Sequence, residues 1–175
     1  MRLTIAIIML FAFANTADQI PHLESFDVQR YLGTWYEAAR SKNIIFERGE
    51  HVHAEYSDRG NGTINVFNTG RLEDGKENSI KGHAEPDGSG IPGRLSLVFD
   101  NWFGRFIKGK YWVLDTDYES YSLVYGPSKL IFDNSSAYIL TRDQQVSPEF
   151  LADLVDKLEG LVGIGEDKLH FTIQN

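Results

Sequence analysis

The stretch YLGTWYEAAR, residues 31–40, places a glycine shortly before two adjacent aromatic residues in what is otherwise a strand pattern. Glycine inside a strand packs no side chain and loses much backbone freedom on folding, so it usually marks a bend or a close backbone approach. We therefore expect another segment to pass close to Gly33, at the start of the strand that carries Trp35 and Tyr36.

Length and composition favour one β-rich domain. The chain has 175 residues, of which 42% are hydrophobic, enough for one substantial core and too little for two ordinary domains. Aromatic residues make up 13% of the chain, and there are 16 glycines. Aromatic side chains suit pleated sheets and glycine suits tight turns, so the composition favours strands joined by turns.

Charge and residue content argue against several functions. The net charge is −8 and no basic stripe is present, so we expect no nucleic-acid partner. The chain has no cysteine, which excludes disulfides, thiolate catalysis and cysteine-ligated metals. His51 and His53 share an outward strand face without a carboxylate cluster, and no Ser/His/Asp arrangement is recognisable. We expect no metal, no cofactor and no enzymatic activity.

The N-terminus has the pattern of a secretory signal peptide. Arg2 precedes a largely apolar run, residues 3–14, which ends in a small-residue pattern. The run is shorter than the roughly 20 apolar residues that cross a bilayer. We expect a signal peptide over 1–14, a linker over 15–25 and one domain over 26–175. The protein is then secreted, luminal or periplasmic, whereas an uncleaved run would leave it membrane-associated.

Short runs of strand-forming residues follow one another from residue 33 to about residue 125. Leu95, Leu97 and Phe99 occupy alternate positions and share one face of a strand, whereas the other face is mixed. The runs are separated by segments rich in turn-forming residues, at 58–62, 73–75, 86–90 and 116–119. This spacing predicts consecutive antiparallel strands.

The last third of the chain predicts one helix and a closing strand. After Ser147 and Pro148, an expected N-cap and first helical residue, apolar residues recur at the spacing of one helical face. Gly160 and Gly163 can end this helix, and residues 169–173 form a strand pattern. The prediction is an all-β fold: an eight-stranded antiparallel up-and-down barrel with the helix packed outside. An open sandwich is the competing architecture.

Three separated motifs resemble the signature of the lipocalin family. They are G-x-W in the first strand, T-D-Y at a turn and an arginine that closes the eighth strand, here Gly33 and Trp35; Thr116, Asp117 and Tyr118; and Arg142. The resemblance covers about residues 26–175 and is to the apolipoprotein D-like and bacterial outer-membrane members. It implies that Trp35 lies across the closed end of the barrel, under Arg142, and that Gly33 admits the preceding turn. These residues then act structurally.

Alternation along the strands predicts an inner wall that surrounds a ligand. Small alanine and glycine residues recur there, which suggests an unfilled interior. The predicted ligand-binding residues are Glu37, Ala39, Val52, Ala54, Tyr56, Val66, Asn68, Ile80, Ala84, Leu95, Leu97, Phe99, Tyr111, Val113, Tyr138 and Leu140. Fatty acids, lysophospholipids, retinoids and sterol-like lipids suit such a wall. The alternative is that these side chains simply fill the barrel.

Two loops carry clustered apolar residues and are expected at the open mouth. The rim residues are Ile44, Ile45, Phe46, Trp102, Phe103 and Phe106. Apolar residues on loops are costly unless they meet a ligand, a membrane or a partner, so a membrane surface during ligand exchange is one interpretation. The other is that the loops fold over the barrel as a lid. Asn61 and Asn134 begin glycosylation sequons.

The sequence thus predicts a protein that binds and carries or stores a small lipid without catalysis. The alternative function is a non-catalytic interaction subunit: a lipocalin barrel held in a membrane-associated assembly with an unidentified protein partner.

Overall fold

Eight antiparallel strands form a closed barrel, as predicted, with a ninth short strand and a helix added to it. The computed structural model describes residues 20–44, 49–100, 108–128 and 135–174. The strands are β1 (Gly33–Ser41), β2 (Glu50–Gly60), β3 (Thr63–Arg71), β4 (Glu77–Pro86), β5 (Arg94–Phe99), β6 (Lys108–Thr116), β7 (Tyr121–Gly126), β8 (Ser136–Thr141) and β9 (Leu169–Phe171).

Each strand from β2 to β8 pairs with its neighbour in the chain, and β1 lies between β8 and β2. The barrel closes where Gly33–Tyr36 of β1 pair with residues 53–56 of β2. Closure removes the unpaired edges of an open sandwich, which is therefore not the architecture. The hairpin between β2 and β3 turns at Asn61 and Gly62, both with positive φ, as its turn-forming sequence predicts.

The C-terminus completes the seam between β1 and β2 near the open mouth. Beyond Tyr36, β1 leaves β2 and pairs instead with β9, through Ala39–Ser41. Past β9, the Nε2 of Gln174 donates to the backbone carbonyls of Glu37 in β1 (2.9 Å) and Val52 in β2 (2.7 Å). One side chain thus ties together two strands that no longer pair directly.

A capped helix packs on the outside of the barrel. Helix α2 spans Pro148–Val162, and the Ser147 side chain accepts a hydrogen bond from the N–H of Phe150. Gly163 ends the helix in the left-handed conformation (φ 70°), whereas Gly160 lies within it. The face of the helix turned to the barrel includes Leu154, Val155 and Leu158, all buried. A single 3₁₀ turn, Glu166–Lys168, then leads into β9, which is shorter than predicted.

Candidate ligand-binding cavity

A plug of aromatic and charged side chains closes the end of the barrel where β1 begins. Trp35 is fully buried, and its indole N–H donates to the carbonyl of Tyr31 (2.9 Å), in the helical turn α1 (Val28–Tyr31) that precedes β1. The guanidinium carbon of Arg142 lies 3.7 Å from the centroid of the Trp35 ring. The indole is thus held by a hydrogen bond at its edge and a cation on its face.

Arg142 also joins three segments through their backbone carbonyls. Its Nη2 donates to Arg30 (3.0 Å) and Leu32 (2.9 Å), its Nη1 to Thr34 (2.8 Å) and its Nε to Tyr118 (3.0 Å). The planar fork of a guanidinium is suited to such multiple bonding. The plug therefore orders α1, the start of β1 and the turn before β7.

Another group does lie close to Gly33, as the position of this glycine in the sequence suggests. Its φ is +96°, and a Cβ built there would lie 3.3 Å from Nη1 of Arg142. The group that comes close is thus the arginine side chain, whereas the sequence suggested the helical turn. Glycine is required on two grounds, its left-handed backbone and the nearby guanidinium.

The T-D-Y turn holds its shape through its own side chains. The Asp117 carboxylate accepts hydrogen bonds from the backbone N–H groups of Glu119, Ser120 and Tyr121. Burial acts to raise the pKa of Asp117, but these bonds and one from the Ser120 hydroxyl outweigh it, and the pKa is lowered. Thr116 accepts from the N–H of Tyr118. Both motifs therefore hold together the closed end of the barrel.

Above the plug lies a cavity of about 540 Å³, within the range typical of small-molecule sites. Most of the predicted wall residues line it. They are Glu37, Val52, Ala54, Tyr56, Val66, Asn68, Ala84, Leu95, Leu97, Phe99, Tyr111, Tyr138 and Leu140. The interior is therefore hollow, and the alternative of a barrel filled by side chains does not hold. Contact of these residues with a ligand stays a prediction.

Ala39 does not face the cavity, and its prediction as an inner residue is wrong. A register shift between Glu37 and Ala39 leaves Ala38 as an extra residue in β1. The bulge reverses the alternation, so Ala38 and Ala39 both pack against the helix-facing cluster outside the barrel. Arg40 takes the inward place instead, opposite Tyr138.

Two further predicted residues do not line the cavity. Val113 is fully buried, but it packs in the cluster around Trp35, at the plugged end. The last pair between β4 and β5 joins Gly82 to Phe99. Ile80 lies beyond this pair, near the mouth, and is only half-buried. Gly82 itself leaves no space for a ligand, because a Cβ there would collide with the carbonyl oxygen of Val98 in β5. The glycine thus allows β5 to lie close to β4 at this position.

The cavity is also lined by residues that the prediction omitted. Tyr31 enters from α1, which a strand pattern could not indicate. Gly109 and Ser136 lie two positions before Tyr111 and Tyr138, so a longer extrapolation of the alternation would have found them. The remaining additions are Trp35, which was expected to act only structurally, and His53, Ile64, Lys108, Lys110, Gly126, Pro127 and Ser128.

Hydroxyl groups form a chain at the deep end of the cavity. The Tyr31 oxygen lies 2.8 Å from Ser122 Oγ and 2.9 Å from the Tyr111 oxygen, which lies 3.0 Å from that of Tyr56. Burial raises the pKa of Tyr31 to about 12, against hydrogen bonds that lower it, and raises that of Tyr111 well above its usual range. These phenols therefore stay protonated near neutral pH.

A buried ion pair supplies the only carboxylate among the described residues that line the cavity. Glu37 and Arg40 are almost fully buried, with Oε1 and Nη1 2.5 Å apart. Thr172, just past β9, donates its hydroxyl to the same Oε1 and accepts from the same Nη1. The charge of Glu37 is thus neutralised inside the barrel, at the bulge that turns Arg40 inward.

The structure describes only some of the predicted rim residues and glycosylation sequons. Ile44 is half-buried just past β1, and Asn61 is exposed on the hairpin at the plugged end. The other rim residues, the second sequon at Asn134 and residues 1–14 fall outside the described residues.

In the described ranges, no three metal-ligating side chains come together, and no helix is long and apolar enough to span a bilayer. His53 bonds Thr69, its cross-strand partner in β3.

Comparison with known proteins agrees with this geometry. A family model described as a lipocalin-like domain matches residues 26–174. Apolipoprotein D of Bos taurus is 39% identical over 140 residues, which cover 79% of this chain and 72% of that protein. Outer membrane lipoprotein Blc of Escherichia coli K12 is 38% identical over 136 residues, which cover 76% of this chain and 71% of that protein.

Solved structures show the same fold at lower identity. The crystal structure of lobster apocrustacyanin A1 matches with a TM-score of 0.69 and 21% identity, covering 89% of this chain and 91% of that one. The plugged and hollow eight-stranded barrel, the family model and the curated relatives agree, and the chain belongs to the lipocalin family.

Proposed function

We propose that this protein binds one small lipid in its barrel and carries or stores it, without catalysing a reaction. The cavity of about 540 Å³, closed at one end by the Trp35 plug, is the observation on which the proposal rests. Lipocalins in general bind small hydrophobic molecules and are not enzymes.

The wall of the cavity is suited to an apolar ligand. Leucine, valine, isoleucine, alanine and aromatic side chains supply most of its lining residues. Burial of an alkyl chain contributes on the order of 0.8 kcal/mol per methylene, so a chain of ordinary length binds without any charged contact. The few polar groups at the deep end would then orient the ligand.

The N-terminal run and one relative support a location outside the cytoplasm. Residues 3–14 have the length and polarity of a signal peptide, and a relative carries the name outer membrane lipoprotein. We therefore place the protein in a secreted, luminal or periplasmic setting. N-terminal sequencing of the mature protein tests this: retention of residues 3–14 would support the membrane-associated assembly instead.

Native mass spectrometry of the purified protein, followed by lipid extraction, tests the binding function. We expect a bound lipid in the wild-type protein and its loss in the variant Leu97→Trp, because an indole at this half-buried position occupies the cavity. Val98→Trp, on the opposite face of the same strand, is the matched control and retains the lipid.

Absence of lipid in wild type and in both variants, together with no uptake of added lipid, would contradict the proposal. A folded Leu97→Trp variant that still carries the wild-type amount of lipid would also contradict it, because the ligand would then lie elsewhere.

A further inference from the structure

The charged side chains around the cavity leave no unpaired cation facing its interior among the described residues. Glu37 is already bound to Arg40. The Lys108 ammonium binds Glu85 on the outer face (2.8 Å), and that of Lys110 lies over the ring of Trp112, which packs in the cluster outside the barrel. In the part of the chain that the structure describes, an anionic head group inside the cavity would find no free counter-charge.

A carboxylate buried in this interior would therefore lose its hydration without compensation. Unpaired charges are among the most costly groups to bury. A neutral polar group avoids this cost.

Neutral hydrogen-bonding capacity, in contrast, is available at the deep end. A hydroxyl oxygen takes part in up to three hydrogen bonds, and that of Tyr111 makes two, with Tyr31 and Tyr56. Tyr111 lines the cavity and so retains one site for a ligand. Asn68 lines it as well, and its Oδ1 has no partner among the described residues.

We propose that the cavity selects uncharged lipids that carry a hydroxyl group, and that this hydroxyl binds Tyr111 at the deep end of the barrel. The selection rests on the proposed lipid-binding function and narrows its ligand class: alcohols of alkyl chains or of fused rings bind, and the corresponding carboxylates bind weakly. The ligand therefore enters with its polar group first and its apolar part toward the mouth.

Titration of the delipidated full-length protein with an n-alkanol and with the carboxylate of the same chain length tests the selection. Near neutral pH we expect the alkanol to bind at least about tenfold more tightly. When the pH is lowered toward the pKa of the carboxyl group, the affinity for the acid rises toward that of the alkanol, whose own affinity changes little. This comparison needs no variant.

Tyr111→Phe tests the position of the hydroxyl. Loss of one neutral hydrogen bond predicts an alkanol affinity about three- to tenfold lower, with little change for the carboxylate. Tyr36→Phe is the control: Tyr36 lies between Trp35 and Glu37 in β1 and does not line the cavity, so loss of its hydroxyl leaves both affinities unchanged.

Each outcome separates the two proposals. A carboxylate that binds as tightly as the alkanol near neutral pH overturns the selection and leaves the binding function standing. Equal alkanol affinity in wild type and Tyr111→Phe overturns the position of the hydroxyl. If neither ligand binds, the lipid-binding function itself fails.

Discussion

Arg142 covers the indole of Trp35 with its guanidinium carbon 3.7 Å from the ring centroid, and from the same position it donates to four backbone carbonyls. The plug thus depends on one side chain that joins segments more than 100 residues apart in the chain. Both the cation–π contact and the carbonyl contacts are lost when this side chain is removed.

Arg142→Ala should lower the free energy of unfolding by about 2–4 kcal/mol, because several partly buried carbonyls lose their donor together. Arg142→Lys keeps the charge but lacks the planar fork, so it should recover less than half of the loss. Urea denaturation followed by circular dichroism measures both. An alanine variant as stable as wild type would show that the plug is not held by this residue.

Gly33→Ala should be more destabilising than Gly88→Ala. Both glycines have positive φ, +96° and +85°, so each substitution costs about 1–2 kcal/mol in backbone strain. Only at Gly33 does the new methyl group also meet Arg142, whereas Gly88 has open space around it. The difference in unfolding free energy between the two variants therefore measures the close approach, and equal losses would mean that only the backbone matters.

Glu37→Leu and Arg40→Met should each lower the free energy of unfolding by about 3–5 kcal/mol, because each leaves a buried charge without its partner. The double variant should be far more stable than the sum of the single losses predicts. A double-mutant cycle by chemical denaturation measures this coupling. Additive losses would show that the two charges act independently.

Stability should fall as the pH rises from about 10 toward 12. Tyr31 keeps its proton in the folded protein up to a pKa of about 12, whereas in the unfolded chain it loses the proton near 10. Between these pH values the unfolded state binds fewer protons than the folded state. Raising the pH therefore lowers the free energy of unfolding. Below pH 10 Tyr31 is protonated in both states, so it causes no loss of stability there.

Phenolate absorbance and circular dichroism, recorded together against pH, measure this effect. The buried tyrosines should ionise only as the barrel unfolds, and Tyr31→Phe should flatten the loss of stability above pH 10. Complete ionisation of all tyrosines in a barrel that stays folded would contradict it.

Gln174→Ala should loosen the seam between β1 and β2 near the mouth. The buried Gln174 amide is the donor to Glu37 and Val52, so its loss leaves these carbonyls short of a partner, at about 1–3 kcal/mol. Hydrogen exchange of amides in β1 and β2 should become faster. Ile173→Ala, at a side chain that is 51% exposed, is the control and should leave exchange unchanged.

The local features of the fold were predictable because each depends on a few neighbouring residues. Ser147 and Gly163 limit the helix through backbone groups within one turn of them. The alternation of Leu95, Leu97 and Phe99 places all three on the cavity wall. Such patterns need no knowledge of which strand lies beside which.

Two departures arise from how neighbouring strands pack against each other. The bulge at Ala38 depends on the register of β1 against β8, about 100 residues later, and it places Arg40, in the place expected for Ala39, against the Glu37 carboxylate. No pattern in β1 alone signals this exchange. Gly82, one of the small residues that alternation places on the inner wall, is explained only by the position of β5 against it.

By itself, the sequence determined consecutive antiparallel strands, the outer helix and the apolar character of the interior, because periodicity and turn chemistry are local. The motifs that resemble the lipocalin signature predicted the barrel and its plug. Only the tertiary structure decided that the Glu37 charge is neutralised inside the barrel, that tyrosines from α1, β2 and β6 share one hydroxyl chain, and that the C-terminus completes the seam. These contacts join residues far apart in the chain, and their geometry follows from strand register.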